Sequence, residues 1–303
     1  MGQKFSNYHV IHLKNTKKIT GKLKLFLLFD TMLIILGLIG SSLYRSVPSS
    51  GTFQEGIFLP VVMYHSITDA PNGDYQITKE QFAQDLYYLR ANGYETVSVG
   101  DLYAYTEGKG ELPEHPVVLT FDDGFYNNLS IALPLLEEYN MCAVVSIVGY
   151  YTDETAEKDP HVDRYSYLTW EDVRLLEQSG RIEIGSHTYQ LHSNDQRAGC
   201  SIMYGENPEQ YQNMLRKDLK KLQERARTET GKAPVAFAYP YGFICKESVP
   251  VLKELGFLCT FSCREQGNYI VRDSNCLYGL DRYNRSPDDT TEEFFTKILQ
   301  PDL

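Results

Sequence analysis

Positive charge is what this 303-residue chain lacks over most of its length. Residues 1–50 hold Lys4, Lys14, Lys17, Lys18, Lys22, Lys24 and Arg45 against Asp30 alone, so the net −11 of the whole leaves −17 on the rest. A body that acidic has no basic stripe, which excludes a nucleic-acid binder. Repeats and low-complexity tracts are also missing from Ile57 onward, which excludes a solenoid or a long biased segment there. The N-terminal region has no clean A-x-A cleavage site, and its apolar stretch is long for a secretory signal.

That stretch, residues 25–43, reads LFLLFDTMLIILGLIGSSL and is about long enough to cross a bilayer. The lysines precede it, which predicts a cytoplasmic tail over residues 1–24, a transmembrane anchor and an extracellular body. Asp30 falls near the cytoplasmic end, where a charge costs less. Cleavage and secretion is the competing expectation. Residues 44–56 read as a polar linker with Pro, Ser and Gly, leaving one domain over residues 57–303. Six cysteines suit an oxidising exterior. Cys142 opens an apolar run and is expected as a buried thiol, whereas Cys245, Cys259, Cys263 and Cys276 cluster closely enough to include one bridge. The C-x3-C spacing of Cys259 and Cys263 is thin ground for a zinc site. The 23 tyrosines suit either a carbohydrate surface or ordinary packing.

From Ile57 onward, strand-like and helix-like segments alternate. IFLPVVMYH is a short apolar run ending on His65. Phe82, Leu86 and Leu89 share a helical face that Gly93 stops. YETVSV and PVVLTF read as strands, a helix follows through Leu129, Leu133 and Leu136, and CAVVSIVG reads as a strand. TWEDVRLLEQSG opens on the capping pair Thr169 and Asp172 and ends on Gly180. RIEIGSH is a strand, residues 207–230 a long polar helix, VAFAYPYG and LGFLCTFS strands around a further helix, and CLYGLDRY the last strand. Such alternation predicts an α/β fold on a mostly parallel sheet, open or closed into a barrel. Ligands then gather at the carboxyl ends of the strands. His65, Asp122, Asp123, His187 and the YPYG turn all fall there.

VVLTFDDGFYNN ends an apolar strand on two adjacent carboxylates. Asp-Gly also marks hairpin turns, but a helical pattern follows here instead of a second strand. Neighbouring side chains at a strand end diverge, so one carboxylate can bind a cation while the other accepts a proton. GSHTYQLHS adds His187 and His192. Two histidines in a polar loop are often unrelated to metal. Their spacing puts the rings about 140° apart on an ideal helix, so they converge only if residues 188–191 form a loop or irregular turn. Two imidazoles and a carboxylate make an open site with room for water. FAYPYG is a strand and a turn, and the turn can present a backbone N–H to an oxyanion.

TFDDG, HTYQLH and YPYG, in this order, resemble the motifs of the polysaccharide deacetylases of carbohydrate esterase family 4, the NodB-homology domain, over roughly residues 57–285. The resemblance implies a distorted (β/α)7 barrel, here preceded by one transmembrane helix, and removal of N- or O-acetyl groups from sugars with a divalent metal, Zn2+ above all. It implies Asp122 as general base, Asp123, His187 and His192 as metal ligands, and the Tyr241 N–H as oxyanion donor. Three departures bear on this. The family's histidine spacing is usually four, its third motif carries an arginine where Ala238 stands here, and its late Leu-His motif is not visible. The circularly permuted poly-N-acetylglucosamine deacetylases are similar in these respects, with five-residue histidine spacing and YH on the first strand. His65 in VVMYHSI would then be the general acid, although a lone His after an apolar strand is also an ordinary structural residue. Arg282 or Arg285 in LDRYNRS is the candidate replacement for the missing arginine beside Asp122. The expected reaction is acetate release from an N-acetylated cell-surface glycan, peptidoglycan or poly-N-acetylglucosamine. An O-acetyl xylan-type esterase, an inactive membrane-anchored glycan binder and a tethered scaffold compete. The paired aspartates argue against a binder, which needs no free base beside its metal.

Overall fold

A computed structural model describes residues 56–158 and 161–300. The expected tail, the anchor over residues 25–43 and nearly all of the linker lie outside the described residues. Within them, no helix is long and apolar enough to cross a membrane.

The strands, in chain order, are β1 (Ile57–Leu59), β2 (Val61–Tyr64), β3 (Ser66–Ile67), β4 (Gln76–Ile77), β5 (Glu95–Thr96), β6 (Pro116–Phe121), β7 (Ala143–Ile147), β8 (Ile182–Ser186), β9 (Ala236–Ala238), β10 (Cys259–Phe261), β11 (Asn268–Ile270), β12 (Tyr278–Leu280) and β13 (Tyr283–Asn284). Nine of them form one sheet in the order β12-β10-β9-β8-β7-β6-β2-β13, with β5 beside β6. Every pairing in that sheet is parallel. VVMY, PVVLTF and AVVSI are buried along their whole length, as continuous apolar runs are in a sheet covered on both faces.

The two outermost strands, β12 and β13, are separated in sequence by Asp281 and Arg282 alone. So short a link reaches on the order of 10 Å, so the sheet has to curl until its edges approach. The outcome is an α/β fold with a curled parallel sheet. CLYGLDRY, expected as one strand, is divided between the two edges.

Helix Lys79–Ala91 buries Phe82, Leu86 and Leu89, and Thr78 with Gln81 closes its capping box. Thr169 and Asp172 do the same for helix Trp170–Gln178, a motif worth about 1 kcal/mol. YETVSV departs from expectation. Its strand stops at Thr96, because Ser98 and Asp101 form a capping box that starts helix Val99–Thr106, and the cap outweighs the β preference of Val97 and Val99. Helices Gly149–Lys158 and Thr291–Ile298 were not expected. All six cysteines are free thiols: Cys142 is a thiol as expected, though only half-buried, and the bridge allowed among Cys245, Cys259, Cys263 and Cys276 is not formed. Cys259 lies inside β10 and Cys263 beyond its end, and four residues of extended chain span roughly 13 Å. The two therefore cannot share a zinc ion.

Candidate active site

Each candidate side chain stands just past the carboxyl end of a strand. His65 follows β2, Asp122 and Asp123 follow β6, His187 follows β8, and Tyr241 lies beyond β9. Parallel strands present these ends on one side, and the curl gathers them around one mouth. The mouth is a cavity of about 460 Å³, and all five residues together with His192 line it.

One ligand atom each of Asp123, His187 and His192 lies within 4.8 Å of the others. The backbone separates the two aspartates. Asp123 has a φ of 72°, a left-handed bend uncommon outside glycine. Gly124 continues it, and a Cβ there would come within 2.9 Å of the Ile147 side chain. Asp123 Oδ1 consequently faces His192 Nε2 at 3.2 Å and His187 Nε2 at 3.7 Å. It is buried yet, among the described residues, accepts no aligned hydrogen bond. His187 Nδ1 donates to the Ala238 carbonyl at 2.9 Å. This bond fixes the tautomer and leaves the Nε2 lone pair toward Asp123. Oxygen and nitrogen lone pairs pointing at one spot repel unless a cation lies between them, and the donor set fits a divalent metal. Burial raises the Asp123 pKa, but the adjacent His192 with the other histidines overrides it and holds the carboxyl below its ordinary value. Burial likewise lowers His192, and Asp123 more than reverses that.

The five-residue histidine spacing closes through an irregular turn, as it had to. Thr188 is left-handed at φ 71°, and its Oγ1 accepts from the Leu191 amide at 3.1 Å. The Asp218 carboxylate accepts from the Tyr189 and Gln190 amides at 2.8 and 2.9 Å. The two imidazole centroids end 4.9 Å apart. Burial pushes the Asp218 carboxyl up to about 6 despite those amides. Asp218 was missed in the sequence, although the signal was there. Within helix Pro208–Thr230 the buried stripe runs through Tyr211, Leu215, Leu219 and Leu222, and an acid at 218 falls on that stripe.

Asp122 is held separately. Arg282 clamps it with a fork: Nη1 to Oδ1 at 2.8 Å and Nη2 to Oδ2 at 2.7 Å. Arg282 is fully buried, and it also donates to the Ser262 carbonyl at 2.7 Å and to Thr120 Oγ1 at 3.2 Å. Asp281 pins the same turn by accepting from Ser262 Oγ at 2.5 Å and Arg264 Nε at 2.9 Å. Burial alone would raise the Asp122 pKa. The Arg282 charge overrides it and holds the carboxyl well below the usual range. Arg285, the other candidate for this role, does not reach Asp122. It pairs with Asp85 at 2.9 and 3.2 Å, and Thr291 Oγ1 donates to the same carboxylate at 2.6 Å, which ties helix Thr291–Ile298 to helix Lys79–Ala91. The odd spacing explains the division, because side chains three apart on extended chain face opposite sides.

His65 packs against Tyr75 with centroids 4.7 Å apart, and its Nδ1 is buried without a hydrogen-bond partner among the described residues. Burial lowers its pKa, while Asp123 and Asp122 pull the other way. Tyr241 is left-handed at φ 57°, and its ring stacks on His192 at 4.9 Å. Cys263 and Asn284 also line the cavity, and the sequence reading assigned neither to the site. His192 is shared with an adjoining cavity of about 250 Å³ bounded by Tyr150, Tyr151 and Gln190.

Residues 109–259 match the polysaccharide deacetylase family. A poly-beta-1,6-N-acetyl-D-glucosamine N-deacetylase of Escherichia coli K12 is 32% identical over 240 residues, covering 73% of this chain and 34% of that protein. The chain thus spans about a third of the length of that relative. The protein of the same name from Staphylococcus aureus N315 is 23% identical over 225 residues, covering 74% of this chain and 73% of that one. Among solved structures, a de-N-acetylase from Aggregatibacter actinomycetemcomitans superposes with a TM-score of 0.66 at 27% identity, covering 77% of this chain and 96% of the other. IcaB from Ammonifex degensii gives 0.66 at 25% identity, covering 81% and 98%.

Proposed function

Since this chain belongs to the polysaccharide deacetylase family, we propose that it hydrolyses N-acetyl groups on a cell-surface polysaccharide, poly-N-acetylglucosamine or peptidoglycan, and releases acetate. The observation that carries this reading is the convergence of Asp123, His187 and His192 beside a second carboxylate, Asp122, that is clamped by Arg282. The three converging residues would hold the metal, and two imidazoles with one carboxylate suit zinc. When bound, it supplies a water of lowered pKa and a polarised acetyl carbonyl. Asp122, kept ionised by Arg282, takes the proton of the attacking water. The Tyr241 N–H, at the left-handed turn, donates to the oxyanion. His65 protonates the leaving nitrogen. Burial leaves His65 neutral at rest, so the proton that Asp122 takes from water has to pass to His65 before His65 gives it to the leaving nitrogen. Acetate and a free amino sugar result.

That the relatives from Escherichia coli and Staphylococcus aureus are named as poly-beta-1,6-N-acetyl-D-glucosamine N-deacetylases favours poly-N-acetylglucosamine over peptidoglycan. The adjoining tyrosine-lined cavity supports a polymer over a single sugar, since aromatic faces suit sugar rings. The curl that brings β12 and β13 together supports the finer description as a distorted (β/α)7 barrel. We place the protein at the cell membrane, held by residues 25–43 with the catalytic domain outside. The check is fractionation: full-length protein is expected to stay with membranes through a high-salt wash, and release by salt alone would refute the anchor.

Acetate release tests the activity. N-acetylglucosamine oligomers, poly-N-acetylglucosamine, peptidoglycan and acetylxylan are compared with and without a chelator, with metal content measured on the same protein. Release from the N-acetylated substrates, lost with chelator and restored by Zn2+, is the expected result. Inert N-acetylated substrates, or release indifferent to chelator, would sink the reading.

A further inference from the structure

Asn284 ends β13, and parallel pairing sets it opposite Met63 of β2. His65 lies two residues beyond Met63, on the same face. All three line the catalytic cavity, so Asn284 sits diagonally across from the side chain assigned to the leaving group. Its amide has one possible orientation. Nδ2 donates to the Asp74 carbonyl at 3.0 Å, and a carbonyl oxygen can only accept. The other end is therefore Oδ1. That atom is buried and, among the described residues, accepts no hydrogen bond. A buried acceptor without a donor is costly and asks for an explanation.

The substrate of the proposed reaction supplies the missing donor. An N-acetyl group differs from an O-acetyl group by one amide N–H. We infer that Asn284 Oδ1 accepts that N–H and so selects N-acetylated over O-acetylated sugars, an inference that rests on the deacetylase reading of this cavity. The bond also orients the nitrogen. With its hydrogen held on the Asn284 side, the lone pair that localises on nitrogen once the carbonyl carbon becomes tetrahedral is turned toward His65, whose proton makes the nitrogen an amine that leaves with the C–N bonding pair. A site built to pair a substrate N–H discriminates strongly against the analogue that lacks it, because the buried acceptor then stays unpaired.

The experiment compares kcat/KM of the full chain and of Asn284→Ala on N-acetylglucosamine oligomers and on 4-methylumbelliferyl acetate, an ester with no N–H. The amide rate is expected to fall roughly 10- to 100-fold and the ester rate less than about 3-fold, the loss expected for one buried hydrogen bond. Asn284→Asp keeps an acceptor and loses the donor to Asp74, so it should recover part of the amide rate. Equal falls on both substrates, or no recovery in Asn284→Asp, would mean that Asn284 only secures the Asp74 segment, and would overturn the inference. Wild-type protein that cleaves the ester but not the amide would overturn the deacetylase reading and this one with it. Wild-type protein active on both, with the ratio unmoved in Asn284→Ala, would overturn the Asn284 assignment alone.

Discussion

Asp122→Asn is expected to lower kcat by about 10²- to 10⁴-fold and to leave intact the binding of the divalent cation proposed above. The two adjacent aspartates are separated by geometry. Asp123 supplies an oxygen to the cluster with His187 and His192, whereas both oxygens of Asp122 are taken by Arg282. An asparagine at 122 can still accept from Arg282 through its carbonyl, so no metal ligand is lost, although the buried guanidinium loses its counter-charge and stability falls. The asparagine cannot accept a proton from water. His187→Ala should lose the metal, and turnover with it, because it removes an imidazole of the converging set whose tautomer is set by the Ala238 carbonyl. Metal content by mass spectrometry and acetate release, read on the same preparations, separate the two effects. Wild-type turnover in Asp122→Asn would show that the base is elsewhere, and loss of metal in that variant would show that the division of labour is wrong.

Much of this was legible in the sequence because the signals were local. An apolar run such as PVVLTF reads as a strand covered on both faces, and it is buried throughout. TFDDG, HTYQLH and YPYG each lie within one strand end and its turn, so the order of strands was not needed to see them. What escaped was non-local. Arg282 and Arg285 were indistinguishable until the two sheet edges were placed, because only the curl brings the turn between β12 and β13 against β6. Asn284 reaches the cavity through a pairing with β2 across more than 200 residues of chain, and nothing local in DRYNRS marks it. Asp218 stands between these cases. An acid on an apolar helical stripe is visible, but its purpose, holding the Tyr189 and Gln190 amides, is not. The last helix was missed despite the T-x-x-E pattern of Thr290 and Glu293, since its apolar stretch is only two turns long.

Arg282→Ala is expected to destabilise the fold by about 3–5 kcal/mol near neutral pH, the cost of leaving one partner of a buried ion pair unpaired. Both Arg282 and Asp122 are buried, so solvent cannot replace the lost guanidinium. The sign of the pH dependence follows from the causes already given. With Arg282 present, the Asp122 pKa lies below its unfolded value, so the pair contributes stability above the ordinary carboxylate range and loses it only in strong acid. Without Arg282, burial dominates and raises the pKa above the unfolded value. The native state then favours the protonated carboxyl, and the deficit relative to wild type should shrink as the pH falls toward 4 and below. The same rise moves catalysis: a base that holds its proton more tightly is ionised only at higher pH, so the acidic limb of kcat/KM should shift upward. Arg282→Lys keeps the charge but not the planar fork, and its stability and its pH limb should both fall between the two. Urea unfolding at several pH values and a pH–rate profile supply the measurements. A deficit that stays constant with pH, joined to an unmoved acidic limb, would mean that Arg282 acts only through its bonds to Ser262 and Thr120 and does not set the state of Asp122.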